Sequence, residues 1–164
     1  MNNTLYFGDN LKILRDHIDD ESVDLIYLDP PFNSNRDYNV IFKESTGEES
    51  EAQLQAFSDS WHWTAATQRA LEEMTETAPS KLVDLINGFV SVLGHNDVTA
   101  YLVMMAIRLI ELHRVLKPTG SLYLHCDPTA SHYLRIVLDT IFGKTNFRNE
   151  IIWQRTSVKE LNDS

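Results

Sequence analysis

A short, largely apolar run that stops at Asp29-Pro30-Pro31-Phe32 constrains the fold of this chain more than any other stretch. Residues 23–28 have the pattern of a buried strand. Asp29 then stands at the carboxyl end of that strand, where open α/β sheets bind their ligands. Each proline has a fixed φ and no N–H, and forces the residue before it to be extended. The tetrapeptide is therefore a rigid, extended segment that presents a carboxylate, a backbone carbonyl and an aromatic ring.

This set of groups suits a planar ring that bears an amino group. The lone pair of an exocyclic amine on a nucleobase is delocalised into the ring, so the nitrogen is a poor nucleophile. The Asp29 carboxylate and the Pro30 carbonyl would accept its two N–H groups and localise the lone pair. Phe32 would stack on the ring, an interaction worth about 1–3 kcal/mol. The alternative is an ordinary strand-to-loop turn, because Asp before Pro often initiates turns.

With these residues the chain resembles the amino-group DNA methyltransferases, which methylate adenine N6 or cytosine N4 and share an Asp/Asn/Ser-Pro-Pro-aromatic signature. Four further stretches resemble parts of that family in the family's order: LYFGDN at 5–10, RLIELHRVLKPTG at 108–120, SLYLHCD at 121–127 and FRNEIIWQR at 147–155. The resemblance implies S-adenosyl-methionine as cofactor and double-stranded DNA as substrate. It also implies that the catalytic residues are Asp29, Pro30, Pro31 and Phe32.

The candidate cofactor-binding residues are Asp9, Asp29, His125 and Asp127, which follow predicted strands. The resemblance implies that Asp9 contacts the adenine or ribose end of the cofactor. Otherwise Asp9 only stabilises the start of a helix through the helix dipole. His125 and Asp127 would line the same crevice. His125, Cys126 and Asp127 are adjacent, but neighbouring residues on a strand point to opposite faces of the sheet. No second pair of ligands with zinc spacing exists in the sequence, so we predict no metal site.

The candidate DNA-binding residues are Asn33, Arg36 and Trp153. Asn33 and Arg36 belong to a polar loop, residues 33–39, that follows the tetrapeptide directly. Trp153 lies on the last predicted strand, where it would stack on the target base from the side opposite Phe32. Packing of Trp153 in the core is an equally good interpretation.

The pattern of apolar residues predicts a Rossmann-like α/β fold, with a parallel-type sheet and helices on both faces. Asn10 is the predicted N-cap of the first helix, and residues 117–120 form a predicted turn. The predicted strands are 5–7, 23–28, 121–125 and 149–154, and the predicted helices are 11–17, 51–77, 80–93, 96–116 and 129–142.

The order of the motifs indicates an incomplete methyltransferase domain. No Phe-x-Gly-x-Gly loop precedes the tetrapeptide, as in the permuted subgroup of the family that carries this cofactor loop near its C-terminus. No such loop follows within the 164 residues either. We therefore expect residues 1–155 to be the catalytic half of the domain and residues 156–164 to begin a linker or target-recognition segment. The chain alone is expected to be inactive.

Charge and cysteine content limit the remaining possibilities. The net charge is −10, from 14 Lys and Arg against 24 Asp and Glu, which is the wrong sign for a free-standing DNA-binding module. Cys126 is the only cysteine, so an intrachain disulfide is impossible and a reducing compartment is expected. The sequence shows neither a signal peptide nor an apolar membrane span. We expect a cytoplasmic protein of bacterial or archaeal type.

The combined reading is a site-specific DNA methyltransferase of a restriction-modification system. Adenine N6 is the preferred target because the tetrapeptide begins with Asp29, whereas members that act on cytosine N4 more often carry Ser there. A homodimer or a restriction subunit is the expected protein partner. Cytosine-N4 methylation and a non-catalytic truncated or partner subunit remain as alternatives. Methylation of RNA or of a protein glutamine is a further one, although protein-directed relatives usually carry Asn at this position.

Overall fold

A computed structural model describes residues 3–30 and 62–152, and within them lie five α-helices and a two-stranded sheet. The elements in chain order are α1 Asn10–His17, β1 Val23–Leu28, α2 Ala65–Thr77, α3 Ser80–Leu93, α4 Asp97–Val115, β2 Leu116–Leu124 and α5 Pro128–Leu138. A π-helical turn, Asp139–Gly143, and a 3-10 turn, Lys144–Asn146, follow α5. No described helix is both long and apolar enough to span a bilayer.

The helix starts follow local capping chemistry. Asp9, not the predicted Asn10, is the N-cap of α1, because its Oδ1 accepts a hydrogen bond from the backbone N–H of Leu11. Asn96 and Thr99 form a reciprocal capping box at the start of α4. These contacts satisfy N–H groups that have no partner within the helix.

The predicted helices agree with the observed ones in the middle of the chain and differ at two places. Helices α3 and α4 lie within about two residues of the predicted bounds. The described part of the predicted helix 51–77 begins only at Ala65, because Thr64 caps it, while residues 51–61 lie outside the described part of the chain. The predicted helix 129–142 changes to π-helical geometry at Asp139.

The two strands are parallel, and their register shifts at one point. Val23 pairs with Leu116, but Leu25 already pairs with Ser121, so β2 carries extra residues between these pairs. The predicted turn, residues 117–120, is this irregular stretch inside β2, and the strand therefore begins earlier than predicted. A Cβ at Gly120 would lie 3.0 Å from the carbonyl oxygen of Lys117 and closer still to the Leu116 side chain, so the stretch needs glycine there.

Two strand predictions were wrong for the described residues. Residues 5–7 are irregular, and residues 149–152 are irregular too, while 153–154 lie outside the described part. A strand needs a hydrogen-bonding neighbour, and the only described pairing is that of β1 with β2. The apolar side chains at both places are largely exposed instead of packed: Leu5, Phe7, Ile151 and Ile152.

Helices cover one face of the described sheet, not both as predicted. Ile26 is buried in the core that α4 dominates, and Leu122 packs against that core from the neighbouring strand. The side chains that alternate with them are open: Leu25 is 60% exposed, Tyr27 69% and Tyr123 48%. The parallel α/β character is therefore confirmed, and the second helical layer is missing from the described residues.

Candidate active site

The parallel pairing brings the carboxyl ends of β1 and β2 together. Leu28 and Leu124 are partners in the last described pair of the ladder. Beyond that pair, the backbone N–H of His125 donates to the carbonyl oxygen of Leu28 at 2.9 Å. Asp29 and His125 therefore leave the sheet side by side, although 96 residues separate them in the sequence.

The side chains of Asp29 and His125 are in direct contact. His125 Nδ1 lies 3.0 Å from Asp29 Oδ1. The Asp29 side chain is 62% exposed and the His125 side chain 51%. An ionised carboxylate has lone pairs for about four hydrogen bonds, so the exposed remainder of Asp29 can accept from a ligand. Pro30, whose backbone carbonyl is the second proposed acceptor, is partly buried.

Asp9 lies in a separate cluster with Arg108. Arg108 Nη2 donates to Asp9 Oδ1 and its Nε donates to Asn10 Oδ1, both at 2.9 Å. Its Nη1 donates to the Met104 carbonyl within α4, also at 2.9 Å. The Asp9 carboxylate is thus held by a guanidinium whose side chain is only 13% exposed.

The start of α1 points toward the carboxyl end of the sheet. Arg108 contacts this start, whereas Arg114, nearer the end of α4, donates to the carbonyls of Leu14 and Ile18. The two helices therefore run in the same direction. Because the end of α4 leads directly into the amino end of β2, the start of α1 lies on the side of Asp29 and His125. Asp9 and Asp29 have different partners in the described part of the chain, Arg108 and His125.

Asp127 has a structural task in addition to any cofactor role. Its Oδ1 accepts from the backbone N–H of Ala130 at 3.1 Å and caps α5. Between it and the edge of the sheet lies Cys126. Burial raises the pKa of the Cys126 thiol, and the carboxylates of Asp127 and Glu150 raise it further. The thiol is therefore a poor nucleophile at neutral pH.

Five of the predicted site residues lie outside the described part of the chain, so their roles stay predictions: Pro31, Phe32, Asn33, Arg36 and Trp153. Sequence reasoning missed Arg108, because nothing in an amphipathic helix shows which of its cations reaches a residue 99 positions away. Among the described residues, no group of three His, Cys, Asp or Glu side chains is arranged to hold a metal ion.

Comparison with known proteins identifies the family of this chain. The chain matches the DNA methylase family over residues 23–164, and it belongs to this family of amino-group DNA methyltransferases. It is 30% identical to the Type III restriction-modification enzyme StyLTI Mod subunit of Salmonella typhimurium over 166 residues, which cover 99% of this chain and 22% of that protein.

Two other relatives are more distant. Identity is 22% to the Type III restriction-modification enzyme EcoP15I Mod subunit of Escherichia coli, over 92% of this chain and 20% of the relative. It is 23% to the Type II methyltransferase M.KpnI of Klebsiella pneumoniae, over 91% of this chain and 26% of the relative. The chain thus spans about a fifth to a quarter of the length of the curated relatives it matches.

Proposed function

We propose that this chain supplies the target-base half of a site-specific DNA methyltransferase that transfers a methyl group from S-adenosyl-methionine to adenine N6. One observation carries the proposal. The Asp29 carboxylate, the first residue of the Asp-Pro-Pro-Phe segment, stands exposed at the carboxyl end of β1 and is held by His125. This is a half-solvated acceptor at the edge where α/β sheets bind ligands.

The chemistry of the chain's own residues follows from this placement. The target base must leave the duplex, because its amine is inaccessible in the stack. The amine would then donate one N–H to Asp29 and the other to the Pro30 carbonyl, while Phe32 stacks on the ring. These contacts localise the nitrogen lone pair and aim it. Catalysis then comes mainly from positioning and electrostatics, and the carboxylate takes or relays the proton that the methylated amine loses.

The residues near this edge fit S-adenosyl-methionine by their chemistry. Carboxylates suit the ribose hydroxyls and the α-ammonium group of the cofactor, and the exposed Asp9 and the capping residue Asp127 supply them. His125 and Asp29 would line the side that faces the methyl group. When bound, the cofactor supplies an electrophilic methyl group on a sulfonium.

The choice of adenine N6 rests on Asp29 as the first residue of the tetrapeptide, and cytosine N4 is the alternative. Residues 1–155 would form the catalytic half, with residues 156–164 beginning a linker or recognition segment. Because the relatives are Mod subunits of restriction-modification enzymes, we propose double-stranded DNA as substrate and a restriction subunit or a second copy as protein partner. A cytoplasmic location follows from the same proposal.

A non-catalytic partner subunit is the second candidate function. One observation favours it: the net charge of −10, which is the wrong sign for a chain that binds DNA by itself. In that case the Asp29 site would be present without turnover.

A chimera tests the proposal. This chain would replace the matched region of the StyLTI Mod subunit, and tritiated methyl transfer to duplex DNA would be followed by nucleoside analysis. We expect N6-methyladenine from the chimera and none after Asp29→Ala. Asp24→Ala, which removes an exposed carboxylate at the opposite end of β1, should leave the rate unchanged. A folded chimera that binds DNA and cofactor without methylating any base would support the non-catalytic candidate, and N4-methylcytosine would correct the target.

A further inference from the structure

The pairing of His125 with Asp29 is built into the sheet. The backbone bond from His125 to the Leu28 carbonyl fixes the two residues on neighbouring strands, which lie about 4.8 Å apart in a sheet. The side-chain contact of 3.0 Å between Nδ1 and Oδ1 closes a second link between the same two positions. The pair is therefore held by both main chain and side chains.

The chemistry of the contact fixes its direction. An ionised carboxylate only accepts hydrogen bonds, so His125 Nδ1 must carry the hydrogen and donate it to Asp29. The terminal torsion of an aspartate is broad and roughly two-fold, and an exposed carboxylate therefore samples many orientations. A donor at a fixed distance limits that rotation.

We propose that His125 is a positioning residue for the methyl-transfer step. It holds Oδ1 of Asp29 and thereby presents the remaining acceptor sites of the carboxylate to the target amine. This inference rests on the proposed function and deepens it, because it assigns His125 to the amine side of the site in place of the cofactor contact predicted from sequence. It predicts a loss in turnover and not in cofactor affinity when the Nδ1 donor is removed.

The chain contains a matched control pair. His62 Nδ1 lies 2.9 Å from Asp97 Oδ1, and both side chains are exposed. This pair joins residue 62 to Asp97, the first residue of α4, and it shares no residue with the Asp29–His125 pair. His62→Ala therefore removes a comparable exposed His–Asp contact while leaving Asp29 and His125 unchanged.

Three substitutions in the chimera separate positioning from other roles. In His125→Asn the amide nitrogen stands close to the position of Nδ1, in His125→Gln it stands nearer that of Nε2, and His125→Ala has no donor. We expect kcat to fall about 10- to 100-fold in the Ala and Gln variants, because small misplacements of a reacting group cost on that order. The Asn variant should recover most of the rate, and KM for S-adenosyl-methionine should stay within about twofold throughout.

The kinetic results distinguish a positioning role of His125 from a cofactor contact and from no role in the reaction. A raised KM for the cofactor with unchanged kcat would overturn the proposal in favour of a cofactor contact. Equal activity of the wild type and His125→Ala would remove His125 from the mechanism while leaving the methyltransferase proposal intact. A wild-type chimera without methylation would instead count against the proposed function itself. His62→Ala should match the wild type in every case.

A spectroscopic measurement on the 164-residue chain gives an answer without turnover. Long-range ¹H–¹⁵N spectra report which imidazole nitrogen carries the hydrogen. At neutral pH we expect His125 to show the Nδ1–H tautomer and Asp29→Ala to shift it toward the Nε2–H tautomer, while the His62 signals respond only to Asp97→Ala. An Nε2–H tautomer of His125 in the wild type would overturn the proposed donation.

Discussion

The guanidinium of Arg108 joins the start of α1 to the middle of α4 by donating to the Asp9 carboxylate at 2.9 Å. The same planar group also donates to Asn10 and to the Met104 carbonyl. Such a fork needs three donors in fixed directions, which the single ammonium of lysine does not offer. Asp9 is thus oriented by Arg108, the first residue of the stretch 108–120, which lies 99 positions away in the sequence.

Replacement of Arg108 should therefore lower the stability of the fold. We expect Arg108→Met to lower the free energy of unfolding by about 1–2 kcal/mol, since hydrogen bonds to charged groups contribute on this order and Asp9 is partly screened by solvent. Arg108→Lys should recover less than half of the loss. Urea unfolding measures this loss. Lys12→Met, which breaks the exposed Lys12–Asp16 pair within α1, is the control and should destabilise the fold clearly less. Equal losses in the two Met variants would contradict the special role of Arg108.

The Asp29 carboxylate should matter for turnover and not for folding. Because the side chain is mostly exposed and its contact in the described part of the chain is a side-chain bond to His125, Asp29→Ala should leave the melting temperature nearly unchanged. In the chimera it should cost about 3–4 kcal/mol of transition-state stabilisation, by analogy with the removal of one oxyanion donor. A residual rate above about a tenth of wild type, a loss under 1.4 kcal/mol, would exclude Asp29 from the mechanism.

Tyr101 should make the fold sensitive to alkaline pH. Burial raises the pKa of its phenol above the ordinary value of 10.0, and the charges of Cys126 and Asp127 act in the same direction. The unfolded tyrosine ionises near pH 10 while the folded one stays neutral, so stability that is complete below pH 10 falls as the pH rises further. Relative to Tyr101→Phe, the wild type should lose about 1 kcal/mol more between pH 9 and 11.

Urea unfolding of both proteins at several pH values measures this difference. The change in the free energy of unfolding with pH is compared between the wild type and Tyr101→Phe, so the contributions of other groups cancel. One such group is the Cys126 thiol, whose pKa is also raised by burial. Parallel stability curves for wild type and Tyr101→Phe would show that the buried phenol does not ionise preferentially in the unfolded chain.

Phe32 carries a prediction that comes from sequence alone. If Phe32 stacks on an extruded base, Phe32→Trp should keep much of the activity, and Phe32→Leu should weaken binding to that base by about 1–3 kcal/mol with little change in melting temperature. If Phe32 packs in the core, Trp should destabilise by about 1–3 kcal/mol through overpacking and Leu should be tolerated. An active, stable Leu variant beside an unstable Trp variant would exclude stacking.

Local patterns predicted what depends on local physics. The bounds of β1 follow from an apolar run and from the prolines after Asp29, and α3 and α4 follow from long periodic segments. The identity of the α1 cap was wrong by one residue because Asp9 and Asn10 are both good N-caps, and the contact with Arg108 is not visible in the sequence.

The non-local features were harder to predict. The strand expected at residues 149–154 requires a neighbour, and no described strand pairs with residues 149–152. Topology correctly placed His125 at the same edge as Asp29, since parallel strands end on the same side. Their side-chain bond was not predicted, because register at the last residue decides it.

The pairing of β1 with β2 also dictates when the site can form during folding. Asp29 and His125 are 96 residues apart, so they meet only after a long loop has closed, and the entropy cost of that closure precedes any gain from the parallel ladder. Helices α3 and α4, adjacent in sequence, can associate earlier. Asp29 and His125 are therefore expected to meet in a late step. A partly folded chain in which α3 and α4 have already docked would still lack the Asp29–His125 contact.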